Sequence, residues 1–163
     1  AGYQQERGGY IKNLHGQENV YYQINTTYFS ALGEDEDKLL LARAIQLFMP
    51  GKPQVWYLDL FAGTNDYEAV KKAGAGGHKE INRTNLTSCE IKQALQKDVV
   101  RRQLELIRFR NTCPAFEEGA FMKIEADRNL LKIVWTKENT SAVLDADLDN
   151  CRFHISVGEN DSL

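Results

Sequence analysis

Residues 37–66 read DKLLLARAIQLFMPGKPQVWYLDLFAGTND, and this stretch decides the fold class. Glu34, Asp35, Glu36 and Asp37 stand in front of its apolar run. Acids there complement the positive end of a helix dipole, and Asp35 or Asp37 can cap it. Leu39, Leu40, Leu41, Ala44, Ile45, Leu47 and Phe48 then cover almost the whole circumference of a helix, broken only by Arg43 and Gln46. Pro50-Gly51 ends it. A helix apolar nearly all round belongs inside a larger body. Residues 53–60 follow with continuous rather than alternating apolarity, the mark of a strand buried on both faces. Helix, Pro-Gly-Lys-Pro turn and buried strand together make an α/β unit.

Working outward, residues 1–18 are polar and glycine-bearing and read as loop. Residues 20–32, VYYQINTTYFSAL, suit extended structure, with a helical option from Phe29. After the strand come a short helix from Asp66 to Ala73 and a glycine loop, Gly74 to Gly77. Thr87 and Glu90 have the spacing of a capping box, opening one long helix from Glu90 to about Asn111 that Pro114 stops. Beyond Gly119 the texture changes. Met122, Ile124 and Ala126 alternate with polar residues, as do Leu131, Ile133 and Trp135, then a run from Val143, then Phe153, Ile155 and Val157. Asp127-Arg128-Asn129 and Lys137-Glu138-Asn139 read as turns, so this part is a small antiparallel sheet. The expected fold class is α/β followed by all-β, divided at residues 1–117 and 118–163.

One strand cannot make a doubly wound sheet, and a β/α barrel needs eight strands and about 250 residues. The α/β part is therefore expected to be a C-terminal portion of a larger enzyme. The 163 residues carry 20 basic and 23 acidic side chains, a net charge of −3, with no Lys/Arg run; this disfavours a nucleic-acid partner. No apolar stretch approaches the roughly 20 residues that cross a bilayer, and the first ten residues lack the pattern of a secretory signal. Three widely spaced cysteines, Cys89, Cys113 and Cys151, form neither a disulfide framework nor a metal motif, and the histidines are scattered; the expectation is a cytoplasmic protein without a metal.

The order of four segments is informative: YYQINTTYFSALG (21–33), LLLARAIQLFMPGKPQVWYLDLFAGTNDYEAV (39–70), HKEINRTNL (78–86) and FRNTCPAF (109–116). Together, from about Asn19 to Phe116, they resemble the sucrose phosphorylase family, retaining α-glucoside phosphorylases of the α-amylase-like superfamily. The resemblance implies a (β/α)8 barrel, with residues 53–60 as its eighth strand, and a closing β-sheet domain. It implies double displacement, in which an Asp attacks the anomeric carbon and a Glu protonates the leaving group. Inorganic phosphate, the co-substrate, then releases α-glucose 1-phosphate; no cofactor is implied. The family's catalytic acids lie upstream of the matching region, so no catalytic residue is assigned here and the isolated chain is expected to be inactive. Its partners would be a small α-glucoside, phosphate and the rest of its own barrel.

The resemblance implies three substrate-binding residues. Arg83, in Ile81-Asn82-Arg83, matches an arginine that contacts the bound glucose, and its planar fork suits a hydroxyl and a carboxylate together. Tyr22 and Gln23 match a Tyr-Gln pair lining the acceptor and phosphate subsite. Two departures fall near substrate: Asn19-Val20-Tyr21 stands where sucrose-specific members carry Leu-Asp-Leu, and Thr84-Asn85-Leu86 where they carry His-Tyr-Tyr. These disfavour fructose as acceptor, while HKEINRTNL together with WYLDLFAG looks more like the glucosylglycerate phosphorylase branch. An α-glucosidase or transglucosidase of the same superfamily, or a non-catalytic carbohydrate-binding module, are the alternatives.

Each signal also has a plainer reading. Arg83 could be a surface arginine, and Tyr22 and Gln23 ordinary strand residues. Asp59 reads as structural and Asp66 as a helix cap. Gly74 to Gly77 lacks the GK[ST] of a phosphate loop, and His78 stands alone. Trp56 and Phe48 are expected in the core.

Overall fold

The computed structural model describes residues 6–13, 17 and 20–159, apart from the side chain of Tyr22. The chain forms two compact units, one from residues 1–39 and 55–101, the other from 40–54 and 102–163.

In the first unit, β1 (Tyr10–Asn13) pairs antiparallel with β2 (Tyr21–Asn25), with Tyr10 opposite Asn25 and Ile11 opposite Ile24. A short helix, α1 (Tyr28–Ala31), follows, its N-cap Thr27 accepting from the Ser30 N–H at 3.1 Å. The strand expected over residues 53–60 does not form. Residues 53–56 are irregular and Tyr57–Leu60 is a helical turn, α3 in chain order after α2 (Glu36–Phe48). A strand needs ladder neighbours, and among the described residues none flanks this segment. Its backbone groups are met locally instead: Leu60 N–H donates to Trp56 O at 3.0 Å and Gly63 N–H to Leu58 O at 2.9 Å. A Cβ on Gly63 would fall 2.4 Å from Leu58 Cδ1, so only glycine fits this tight return.

Helix α4 (Tyr67–Ala73) is capped by Asp66, which accepts from the Ala69 N–H at 2.9 Å, as expected. A 3₁₀ turn over Gly77–Asn82 buries Ile81 completely. The Thr87–Glu90 capping box is present at the head of α5 (Ser88–Ala94). The single long helix does not hold. It breaks at Leu95–Lys97, where Gln96 N–H and Lys97 N–H donate back three residues to Gln93 O and Ala94 O, both at 3.0 Å. Such i→i+3 bonds tighten and end a helix. Leu95, expected on the apolar stripe, is 37% exposed at this break, and Asp98 opens α6 (Asp98–Thr112) with an acid at its N-terminus.

The second unit carries the sheet. Four strands, β3 (Phe121–Asp127), β4 (Leu130–Lys137), β5 (Thr140–Asp147) and β6 (Arg152–Glu159), form an antiparallel meander in sequence order. Ile133, Trp135, Ala142, Leu144 and Ala146 face a core completed by Leu41, Ala44 and Phe48 of α2 and by Cys113 and Ala115. Phe48 is 1% exposed, as expected of it. The indole N–H of Trp135 donates to Phe48 O at 2.7 Å, satisfying a carbonyl that the helix end leaves without an internal partner. Arg110 lies over Phe116, 4.2 Å from the ring centroid, and donates through Nη2 to Gly51 O at 3.1 Å. Arg43, which interrupts the apolar helix in sequence, is buried with Nε donating to Gln103 Oε1 at 2.9 Å. The helices followed by a four-stranded antiparallel sheet agree with the expected succession of α-containing and all-β parts.

Candidate functional site

Gln23, Asn25, Trp56, Asp59, Lys79 and Arg83, with Ile24 and Asn82, line a cleft of about 300 Å³ in the first unit. Three stretches far apart in sequence meet there, and a network of side-chain bonds holds them. Asn65 is 9% exposed; its Oδ1 accepts from Thr27 N–H at 2.7 Å and from Thr26 Oγ1 at 3.1 Å. Its own N–H donates to Ser30 Oγ at 3.0 Å. Asp66 ties the same loop to the third stretch: its N–H donates to Ile81 O at 2.9 Å, and its Oδ2 accepts from Thr84 Oγ1 at 3.0 Å. Asn82 Nδ2 closes the circuit by donating to Thr26 O at 3.1 Å. The FAGTND loop thus serves to hold the cleft walls together.

Arg83 is placed by its neighbours. Trp56 Nε1 donates to Asn82 O at 3.1 Å and Tyr57 Oη to Thr84 O at 2.6 Å, so the carbonyls on either side of Arg83 are both pinned. The two aromatic rings lie 4.9 Å apart. The Arg83 side chain is 53% exposed and, among the described residues, is paired with Glu80 alone, at 3.5 Å. An exposed pair at that distance contributes little, so the guanidinium is available to a ligand. Trp56 is 51% exposed on the cleft, a correction to its expected place in the core. With no sheet formed around residues 53–60, its ring has a carbonyl to hold and an open face.

Gln23 stands across the cleft on β2, its Nε2 donating to Asn25 Oδ1 at 2.8 Å. Tyr22 lies on the same strand, but its side chain falls outside the described residues. The structure therefore brings Gln23 and Arg83 to one cleft. Asp59, read as structural, accepts from the Tyr28 N–H at 2.8 Å and also lines the cleft. His78 sits in the 3₁₀ turn, half-buried, and is not among the lining residues.

Asn25 and Lys79 were not singled out by the sequence. Asn25 had a legible signal, since residues i and i+2 of a strand share a face and Gln23 was already a candidate. Lys79 stands within the quoted HKEINR motif. Among the described residues there is no group of three or more His, Cys, Asp or Glu able to hold a metal, and no helix is long and apolar enough to cross a membrane. Chemically, the cleft offers two cations, three amides, one carboxylate and an exposed aromatic face. That set suits a polyhydroxylated or anionic ligand better than an apolar one.

No protein-family model matches the chain. Among individual proteins, it is 55% identical over 154 residues to the sucrose 6(F)-phosphate phosphorylase of Ilumatobacter coccineus, covering 93% of this chain and 29% of that protein. It is 46% identical over 140 residues to the sucrose 6(F)-phosphate phosphorylase of Thermoanaerobacterium thermosaccharolyticum, covering 85% of this chain and 28% of that protein. The glucosylglycerate phosphorylase of Escherichia coli is 34% identical over 88 residues, 50% of this chain. The crystal structure of sucrose 6F-phosphate phosphorylase from Thermoanaerobacter thermosaccharolyticum matches with a TM-score of 0.87 and 41% identity, covering 96% of this chain and 32% of that one. The chain thus spans under a third of the length of these relatives. Over the part that it spans, the chain belongs to the sucrose phosphorylase family.

Proposed function

We propose that this chain is the acceptor-side part of a retaining α-glucoside phosphorylase. The whole protein takes a small α-glucoside and inorganic phosphate and releases α-glucose 1-phosphate, without a cofactor. Residues 1–117 complete a (β/α)8 catalytic barrel and residues 118–163 form its closing sheet domain, in a cytoplasmic protein. The chain alone is inactive, because the nucleophile and the acid/base belong to the rest of the barrel. Gln23 and Arg83 bind the glucoside, with Tyr22 beside them.

The observation that carries this reading is the convergence of Gln23, Arg83 and Lys79 on one cleft, in a chain whose relatives are phosphorylases. Lys79 and Arg83 against the single lining carboxylate of Asp59 give the cleft a cationic bias. Two of the most similar relatives are named for a phosphorylated sucrose. A phosphorylated sucrose is therefore the substrate proposed first. Glucosylglycerate, favoured by the HKEINRTNL and WYLDLFAG motifs, ranks behind it because identity to its phosphorylases is lower, 34% and 28%.

The test uses the full-length protein that contains this chain, offered sucrose 6F-phosphate, sucrose and glucosylglycerate with excess phosphate. Glucose 1-phosphate is the expected product. Free glucose as sole product would instead favour the hydrolase or transglucosidase reading. Glucoside binding by the isolated chain with a cooperative thermal transition, and no turnover by the full-length protein, would favour the binding-module reading.

A further inference from the structure

We propose that Asn25 contacts the ligand directly, its Nδ2 donating a hydrogen bond to a phosphoryl oxygen at the floor of the cleft. This rests on the function proposed above and assigns a role to a residue outside the Tyr22, Gln23 and Arg83 set. Asn25 is 2% exposed, yet it lines the cleft. Its two amide atoms have different fates. Oδ1 is taken by Gln23 Nε2 at 2.8 Å, whereas Nδ2 is buried and has no hydrogen-bond partner among the described residues. Buried amide donors are almost always paired, because an unmade bond there forfeits the hydration the group had in water. The Gln23 bond also fixes the amide, so that Nδ2 cannot rotate away without breaking it. A ligand oxygen in the cleft is the partner that completes the site.

The charge around it selects the class of oxygen. Lys79 and Arg83 both line the cleft, and the one lining carboxylate, Asp59, already accepts the Tyr28 N–H. An anion drawn in by two cations and met at the floor by a neutral donor is held without a proton having to move. The anion can be the phosphoryl group of a phosphorylated sugar or inorganic phosphate itself; both present the same oxygens.

Substitutions in the full-length protein separate these sources and test the idea. Asn25→Asp keeps an oxygen for Gln23 Nε2 but replaces the donor by a negative charge. The expected loss is about a hundredfold in kcat/KM for whichever reactant carries the phosphoryl group, the range of a hydrogen bond to a charged partner plus repulsion. If that group is on the sugar, the loss falls on transfer from glucose 1-phosphate to fructose 6-phosphate and spares transfer to fructose. If it is inorganic phosphate, the loss appears as a raised phosphate KM with sucrose as donor. Hydrolysis of sucrose without phosphate keeps whatever loss reaches the glucoside through Gln23, but it should fall at least about tenfold less than the phosphoryl-dependent reaction, since no phosphoryl oxygen is involved. An equal loss in all reactions, hydrolysis included, overturns the proposal and reduces Asn25 to a support for Gln23. No loss in any reaction overturns it as well. Should N25D fail to fold, N25A removes the donor without adding charge, and the same comparison decides. If the unmodified protein shows no phosphorolysis, the proposed function fails instead.

Discussion

Replacing Asn65 with alanine removes the acceptor around which the cleft walls are laced, and the structure sets the cost. Thr27 N–H donates to Asn65 Oδ1 at 2.7 Å in a buried setting and would be left without a partner. A buried unsatisfied donor costs about 1–3 kcal/mol. Thr26 Oγ1 also loses its bond to Asn65 at 3.1 Å but keeps one to Thr27 O at 3.1 Å, so its share is about 0.5–1 kcal/mol. The contact from Asn65 Nδ2 to Tyr67 Oη, at 3.4 Å, is too long to add much. The sum is about 1.5–4 kcal/mol, read as a lowered urea midpoint of the full-length protein. Hydrogen exchange supplies the local readout: the Thr27 amide should exchange faster, whereas amides of the β4–β5 ladder should not. A loss below about 0.5 kcal/mol with unchanged Thr27 exchange would refute the reasoning, because the network would then be incidental to holding the cleft.

Three further outcomes are expected. Trp135→Phe leaves Phe48 O without its indole donor in a buried site and should lower stability by about 1–3 kcal/mol, measured by denaturant unfolding. Glu138 has φ +50° at the first position of the β4–β5 turn, a conformation that suits glycine, so Glu138→Gly should raise stability by up to about 1 kcal/mol in the same assay. The Asp147 carboxylate is held below its ordinary pKa, first by the Asn150 side chain at 2.7 Å, then by the N–H groups of Asn150 and Asp149, and by nearby Arg152. A depressed carboxyl pKa means the stabilisation is present above the unfolded-state pKa, near 4, and is lost as pH falls through the lower folded value. An NMR titration of Asp147 should place its midpoint below that of an unstructured aspartate, and Asn150→Ala should bring it back up.

The sheet was legible because its information is local. Strict alternation at Leu131, Ile133 and Trp135 can bury only one face, and two-residue turns separate the first three strands. The Asp66 cap and the Thr87–Glu90 box were legible for the same reason, since both partners lie within three residues. Residues 53–60 were misread because continuous apolarity marks burial without specifying what covers it. Without a neighbouring ladder, a helical turn satisfies that backbone. The break at Leu95–Lys97 was missed because Ile91, Leu95 and Val99 keep helical spacing across it, while the i→i+3 closure leaves no residue signature. At the site, Gln23 and Arg83 came from motif order. The roles of Asn65, Trp56 and Asn82 depend on pairings across 26 to 56 positions of sequence, which periodicity does not reveal.

That difference in sequence separation also bears on the order in which the molecule assembles. The meander joins each strand to the next through a loop of a few residues, so little chain entropy is lost before its contacts form. The cleft requires Thr27 to find Asn65 and Thr26 to find Asn82, loops of 38 and 56 residues. Distant pairings of this kind form late and open first. The cleft wall is thus expected to be the last region to acquire its native amide protection during refolding and the first to surrender it under mild denaturant. Any ligand that bridges these walls would act on this chain as a late folding partner.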